Sequence, residues 1–192
     1  MLNPYSLTTD PQKLMGYAAA MKIPEIAWDM AKTKAQKREL EHLWATDPKY
    51  VYHYARTVIE GPWPPGEAAI ATDPGWAYQY AQGVIKGPWP PGEAAIATDP
   101  YWAYQYALDV IEGPWPPGEA AIAKDPRWAY RYARDIINRP WPPGEAAIAS
   151  SADSAFGYAL EVIGKRWPPG EAAIAGDARW AKEYQKVFKV KL

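Results

Sequence analysis

The 192 residues contain no cysteine and only two histidines and two phenylalanines. Without thiols there is no disulfide framework, no thiolate metal site and no thiol nucleophile, and two histidines are too few for most zinc sites. Charge of one sign is lacking as well. The 21 basic and 22 acidic residues leave a net charge of −1, too near zero to advertise a nucleic acid or an anionic membrane as the whole chain's partner. Long apolar runs are missing too: Pro4 and Asp10 interrupt the N-terminal stretch, which reads as neither a secretory signal nor a membrane anchor. A cytoplasmic protein is expected. No Gly-rich phosphate loop, GxSxG or HExxH occurs, nor a nucleophile with a base beside it. We therefore expect no catalytic residues, no metal site, no cofactor and no enzyme.

What the chain has in excess is 11 Trp, 14 Tyr and 21 Pro, a skew that comes from copying a short segment. The block Trp63-Pro64-Pro65-Gly66-Glu67-Ala68-Ala69-Ile70-Ala71 returns at Trp89, Trp115, Trp141 and Trp167, always at the same 26-residue step. Between these blocks runs Asp73-Pro74-x-Trp76-Ala77-Tyr78-x-Tyr80-Ala81-x-x-Val84-Ile85. It repeats from Asp99 and Asp125 and, degraded, from Ser151 and Asp177. Asp47-Pro48 fits the same register, and so does Asp10-Pro11 after allowance for an insertion. About seven units cover the chain.

Each unit reads as a helix pair. Asp73 can cap the first free N–H groups, and Pro74 stands where its missing N–H costs nothing. Gly87-Pro88 should end that long helix, the glycine taking the left-handed cap, so the expected span is 74–86. Pro64-Pro65 should open a short helix over 64–72, with Glu67 in its first turn favourable to the helix dipole. Ala77, Tyr80, Ala81 and Val84 share one face, widened by Trp76, Tyr78 and Ile85, while Gly75, Gln79, Gln82, Gly83 and Lys86 are left for solvent. One unit cannot bury such a face alone but a stack can. The expected fold class is all-α, an α-solenoid of tandem helix-turn-helix repeats.

The organisation reads as an atypical N-terminal repeat over 1–40, tandem repeats over 41–176 and a C-terminal capping repeat over 177–192. The insertion over 28–40, with Lys32, Lys34, Lys37 and Arg38, reads as one longer helix with a basic side. In the last repeat Lys182, Gln185 and Lys189 replace Tyr78, Ala81 and Ile85, as a unit with no following neighbour requires.

Over residues 41–181 the Asp-Pro, Trp-Ala-Tyr-x-Tyr-Ala and Trp-Pro blocks resemble short helical tandem repeats found in proteins of tailed bacteriophages and large viruses. More distantly they resemble the tetratricopeptide class, whose unit is longer. The resemblance implies a helical-repeat fold, a viral source and, by analogy, a host protein as partner in the host cytoplasm; it supplies no catalytic residues.

Several residue sets invite a functional reading. Glu67, Glu93, Glu119, Glu145 and Glu171 form a periodic carboxylate set that either lines a groove or merely complements helix dipoles; consecutive members are too far apart for a glycosidase pair. The aromatics either stack ligands or fill the core left by abundant alanine. The first 120 residues carry net −5 and the remainder +4, and the basic end either grips an acidic partner or is a solvated face. His42 and His53 lack a third ligand and read as structural or surface residues. Since the fixed positions are committed to packing, a partner is best recognised by positions that differ between copies. These are Tyr101, Gln105, Leu108, Arg127, Arg131 and Arg134, which combine anchors with charge. The function expected is a non-enzymatic scaffold for a protein partner, with nucleic acid unlikely. The alternatives are a structural protein assembling into fibres or tubes, and an aromatic-lined binder of glycans or single-stranded nucleic acid.

Overall fold

A computed structural model describes residues 24–192; the Asp10-Pro11 repeat lies outside them. Among the described residues there are helices and no strand. The fold is an all-α solenoid of tandem helical repeats. By its contacts the chain divides into two compact units, with the boundary between Ala95 and Ile96.

Within a repeat the Asp-Pro helix comes first. Pro126–Tyr132 is capped by Asp125, whose carboxylate accepts from the N–H groups of Arg127 and Trp128. Two α-turns are followed by a wider π-helical turn, Ala133–Ile137. The same sequence of α and then π recurs in Pro74–Tyr80 with Ala81–Ile85, and in Pro100–Tyr106 with Ala107–Ile111. The Trp-Pro helix then runs from the first proline to the isoleucine, as in Pro116–Ile122, shorter than the expected 64–72 span.

Helix termination departs from expectation. The left-handed residue lies one position before the expected cap: Glu60, Lys86 and Glu112, each followed by a glycine, and Asn138, followed by Arg139, have φ between 53° and 60°. In the Ser151 repeat this position is a glycine, Gly164, with φ of 69°. In the last repeat Ala178–Phe188 is α-helical throughout and the left-handed residue is Lys189, the equivalent of Ile85, one position earlier than in the other repeats.

Pro126–Tyr132 packs on the Trp-Pro helix that follows it, Pro142–Ile148, and on the Asp-Pro helix of the next repeat, Ala152–Gly157, and Pro48–Tyr54 packs likewise on Pro64–Ile70 and Pro74–Tyr80. The first of these contacts depends on a glycine. A Cβ on Gly144 would stand 2.6 Å from the Trp141 ring and 2.8 Å from the Ala129 Cβ, distances no side chain tolerates. Gly92, Gly118 and Gly170 are enclosed in the same way by Trp89 and Ala77, Trp115 and Ala103, and Trp167 and Ala155.

The expected helix phase holds for Ala77, Tyr80, Ala81 and Val84, which are buried, and for Gln82, which is exposed. Gly75, expected in solvent, is buried, and Gly83 is half-buried. The insertion is two helices rather than one. Pro24–Met30 and Lys34–Trp44 are separated by Thr33, which forms a capping box with Gln36. Lys32, Lys34 and Arg38 are exposed, whereas Lys37 lies 4.4 Å over the Trp28 ring.

Candidate docking surface

The core consumes most of the aromatics. Tyr132 is fully buried. Its ring meets Trp141 at 4.9 Å, its hydroxyl accepts the Trp115 backbone N–H at 2.8 Å, and it donates to Glu119 Oε1 at 2.9 Å. Trp115 is the N-cap of its short helix and offers no side-chain cap, so the phenol of the next repeat serves the free N–H instead. The same bonds hold Tyr80 to Trp63 and Glu67, Tyr158 to Trp141 and Glu145, and Tyr184 to Trp167 and Glu171. The buried phenols thus bond to a carboxylate and a backbone N–H at once. The glutamates of these sets have thereby acquired a partner beyond the helix dipole. In the last of them Arg166 also grips Glu171 through two bonds of 2.7 Å, which holds that carboxyl below the usual carboxylate range.

A second aromatic group stays at the surface. Tyr101 is 37% exposed. Its ring lies 4.5 Å from Trp102 and 4.9 Å from Trp128, and Trp128 also meets Tyr104 at 5.3 Å. The guanidinium groups of Arg127 and Arg131 each stand 5.1 Å from the Trp128 ring. Such cation–π contacts hold a guanidinium in place while leaving its N–H donors available. Trp102 and Trp128 are half-buried, so a tryptophan position read from sequence as core is partly surface. Arg131, three residues after Trp128, lies on its side of the helix, and Arg127 reaches the same ring from the preceding position.

The remaining sequence-selected positions do not belong to this cluster. Arg134 is engaged elsewhere: it contacts Asp135 Oδ1 at 2.6 Å, and the Tyr130 hydroxyl and Glu161 Oε2 each at 3.1 Å. Tyr130 itself donates to Glu161 at 2.6 Å, and Tyr104 donates to Asp135 at 2.7 Å. Burial works against ionisation of Asp135, but the bonds from Arg134 and Tyr104 prevail and hold its carboxyl below the usual range. Arg134 therefore ties neighbouring repeats together and is not a cation waiting for a partner. Gln105 is half-buried and donates to Asp109 at 3.3 Å, and Leu108 is half-buried on the π turn. The structure thus brings Tyr101, Arg127 and Arg131 together around Trp128 and leaves Gln105, Leu108 and Arg134 outside that group.

His42 is exposed and His53 packs against Tyr52 and Trp76. Among the described residues no group of three or more His, Cys, Asp and Glu side chains could hold a metal, and no helix is long and apolar enough to cross a membrane. Neither a protein-family model, nor a curated protein, nor a solved structure matches this chain.

Proposed function

We propose that the chain is a non-enzymatic repeat scaffold that binds a macromolecular partner through the surface around Tyr101, Trp128, Arg127 and Arg131. One observation carries this reading. An exposed tyrosine packs at a tilt against a half-buried tryptophan whose ring also meets two guanidinium groups, the tyrosine and both arginines standing at positions where the otherwise copied repeats differ. Aromatic anchors beside arginine are what interface hot spots are made of. Since Arg134 is spent on Asp135 and Glu161, the working cations are Arg127 and Arg131. The partner these groups favour is a protein with an acidic, apolar-edged surface. The resemblance to repeats of tailed bacteriophages and large viruses supports a host protein in that role, with the scaffold acting as an inhibitor of host function in the host cytoplasm. The motifs alone support that step.

The test is capture by the tagged chain from its native cell, run beside Tyr101→Ala/Arg131→Glu and followed by mass spectrometry. The proposal expects one protein retained by the parent chain and lost from a variant whose thermal transition is unchanged. A partner retained equally by both, and lost on deleting residues 1–40, would place the interface in the N-terminal repeat instead. Quenching of tryptophan fluorescence by an oligosaccharide or a single-stranded oligonucleotide, abolished by the same variant, would identify a different ligand for this surface.

A further inference from the structure

Internal repetition exposes a missing part. In the Asp125 repeat, Arg134, Tyr130 and Glu161 form a closed triad: Arg134 Nη1 donates to the Tyr130 hydroxyl and to Glu161 Oε2, and Tyr130 donates to that same oxygen. Three repeats earlier the equivalent residues are Arg56, Tyr52 and Gly83. Arg56 Nη1 again donates to its tyrosine, Tyr52, and its guanidinium lies 5.7 Å from the Tyr52 ring. The carboxylate, however, is gone. A Cβ built on Gly83 would stand 3.0 Å from the Tyr52 hydroxyl oxygen, so the absent side chain would have started toward that group. Beside Gly83 an open surface cavity of about 410 Å³ is lined by Arg56, Glu60, Gly61, Gly83, Val84 and Lys86, the three charged side chains being exposed.

We propose that this cavity is a binding site for a carboxylate supplied by a ligand, seated where the Glu161 carboxylate sits in the complete triad. The Arg56 guanidinium donates to it and the Tyr52 hydroxyl turns its proton to it, as Arg134 and Tyr130 do for Glu161. A guanidinium presents several donors in a fixed fork, and one bond to a tyrosine leaves the rest for an anion. Lys86 lines the same cavity and supplies a second cation, which suits a short dicarboxylate better than a monocarboxylate. Glu60 opposes an anion but forms no ion pair with Arg56, so it does not fill the place of the missing carboxylate. The volume exceeds that of one carboxylate group and leaves room for the carbon chain beyond it. This site is separate from the surface around Trp128 and does not depend on it.

The probe is glutarate, whose end reproduces a glutamate side chain, with neutral glutaramide as control, titrated calorimetrically into the full chain. Glutarate binding without glutaramide binding is expected. Arg56→Gln should weaken it about ten-fold or more, because a charge-assisted bond is lost, and Glu60→Gln should strengthen it. Gly83→Glu, which restores the internal carboxylate, should abolish binding and melt at a higher temperature than Gly83→Gln, which makes the same backbone change without the charge. Absence of glutarate binding to the parent chain, undiminished binding to Arg56→Gln, or undiminished binding to Gly83→Glu would each overturn the proposal.

Discussion

Tyr132 donates its hydroxyl proton to Glu119 at 2.9 Å, joining side chains thirteen residues apart that belong to consecutive repeats. Because the same oxygen accepts the buried Trp115 N–H, one phenol satisfies a helix N-terminus and a carboxylate at once. Repeats are thereby fastened by a directional bond as well as by packing.

Tyr132→Phe keeps the ring against Trp141 but orphans the Trp115 N–H. An unsatisfied buried donor costs ~1–3 kcal/mol, and we expect a loss of about 2 kcal/mol in urea denaturation. A loss no larger than that of an exposed control such as Gln82→Ala would mean that the hydrogen bond contributes nothing beyond the ring.

Alkaline pH should release these clamps. Burial raises Tyr80, Tyr132 and Tyr158 above the ordinary phenol value, the bond accepted from the tryptophan N–H opposing it and donation to glutamate adding to it. Burial and donation to Glu161, opposed by Arg134, push Tyr130 up to about 12. The folded state holds these protons more tightly than the unfolded chain, so their contribution is complete below about pH 10 and is lost as pH rises above it. Tyrosinate absorbance should therefore rise together with loss of helical circular dichroism. Titration of all tyrosines near pH 10 with the helices intact would contradict the buried clamps.

The left-handed helix ends offer a paired test. A non-glycine residue in this conformation carries a penalty of roughly 1–2 kcal/mol, partly offset by the unfolded-state entropy of glycine. Glu112→Gly should raise stability by about 0.5–1 kcal/mol, and Gly164→Ala should lower it by a similar amount. Opposite shifts in melting temperature are the expected result; parallel shifts would show that the cap conformation is not what these residues decide.

Ala81 is fully buried and Gln82 beside it is exposed. A charge at the first has no partner and should cost more than 3 kcal/mol, about what unfolds a marginal domain, whereas at the second it should stay within about 0.5 kcal/mol. Similar melting of Ala81→Asp and Gln82→Asp would refute the helix phase on which the packing rests.

The repeat length, the helix pairs and the buried face were legible in the chain itself, because capping, proline placement and apolar periodicity are local properties that act within one or two turns. Asp125 announced its helix start as plainly in the sequence as it does in the structure. Tertiary structure alone decided what happens between repeats. Nothing in the sequence marked Gly144 as the residue on which Trp141 and Ala129 close, and Glu119 looked like a dipole partner until Tyr132 reached it. Arg131 and Arg134 looked equivalent as variable surface cations. One is held over a tryptophan ring and the other is bound into an ion pair with Glu161, because distance between side chains from different repeats depends on how the helices stack and not on their spacing along the chain. The same reason hid the Arg56 cavity: the residue that makes it is a glycine, and only the geometry of the complete triad shows what Gly83 leaves out.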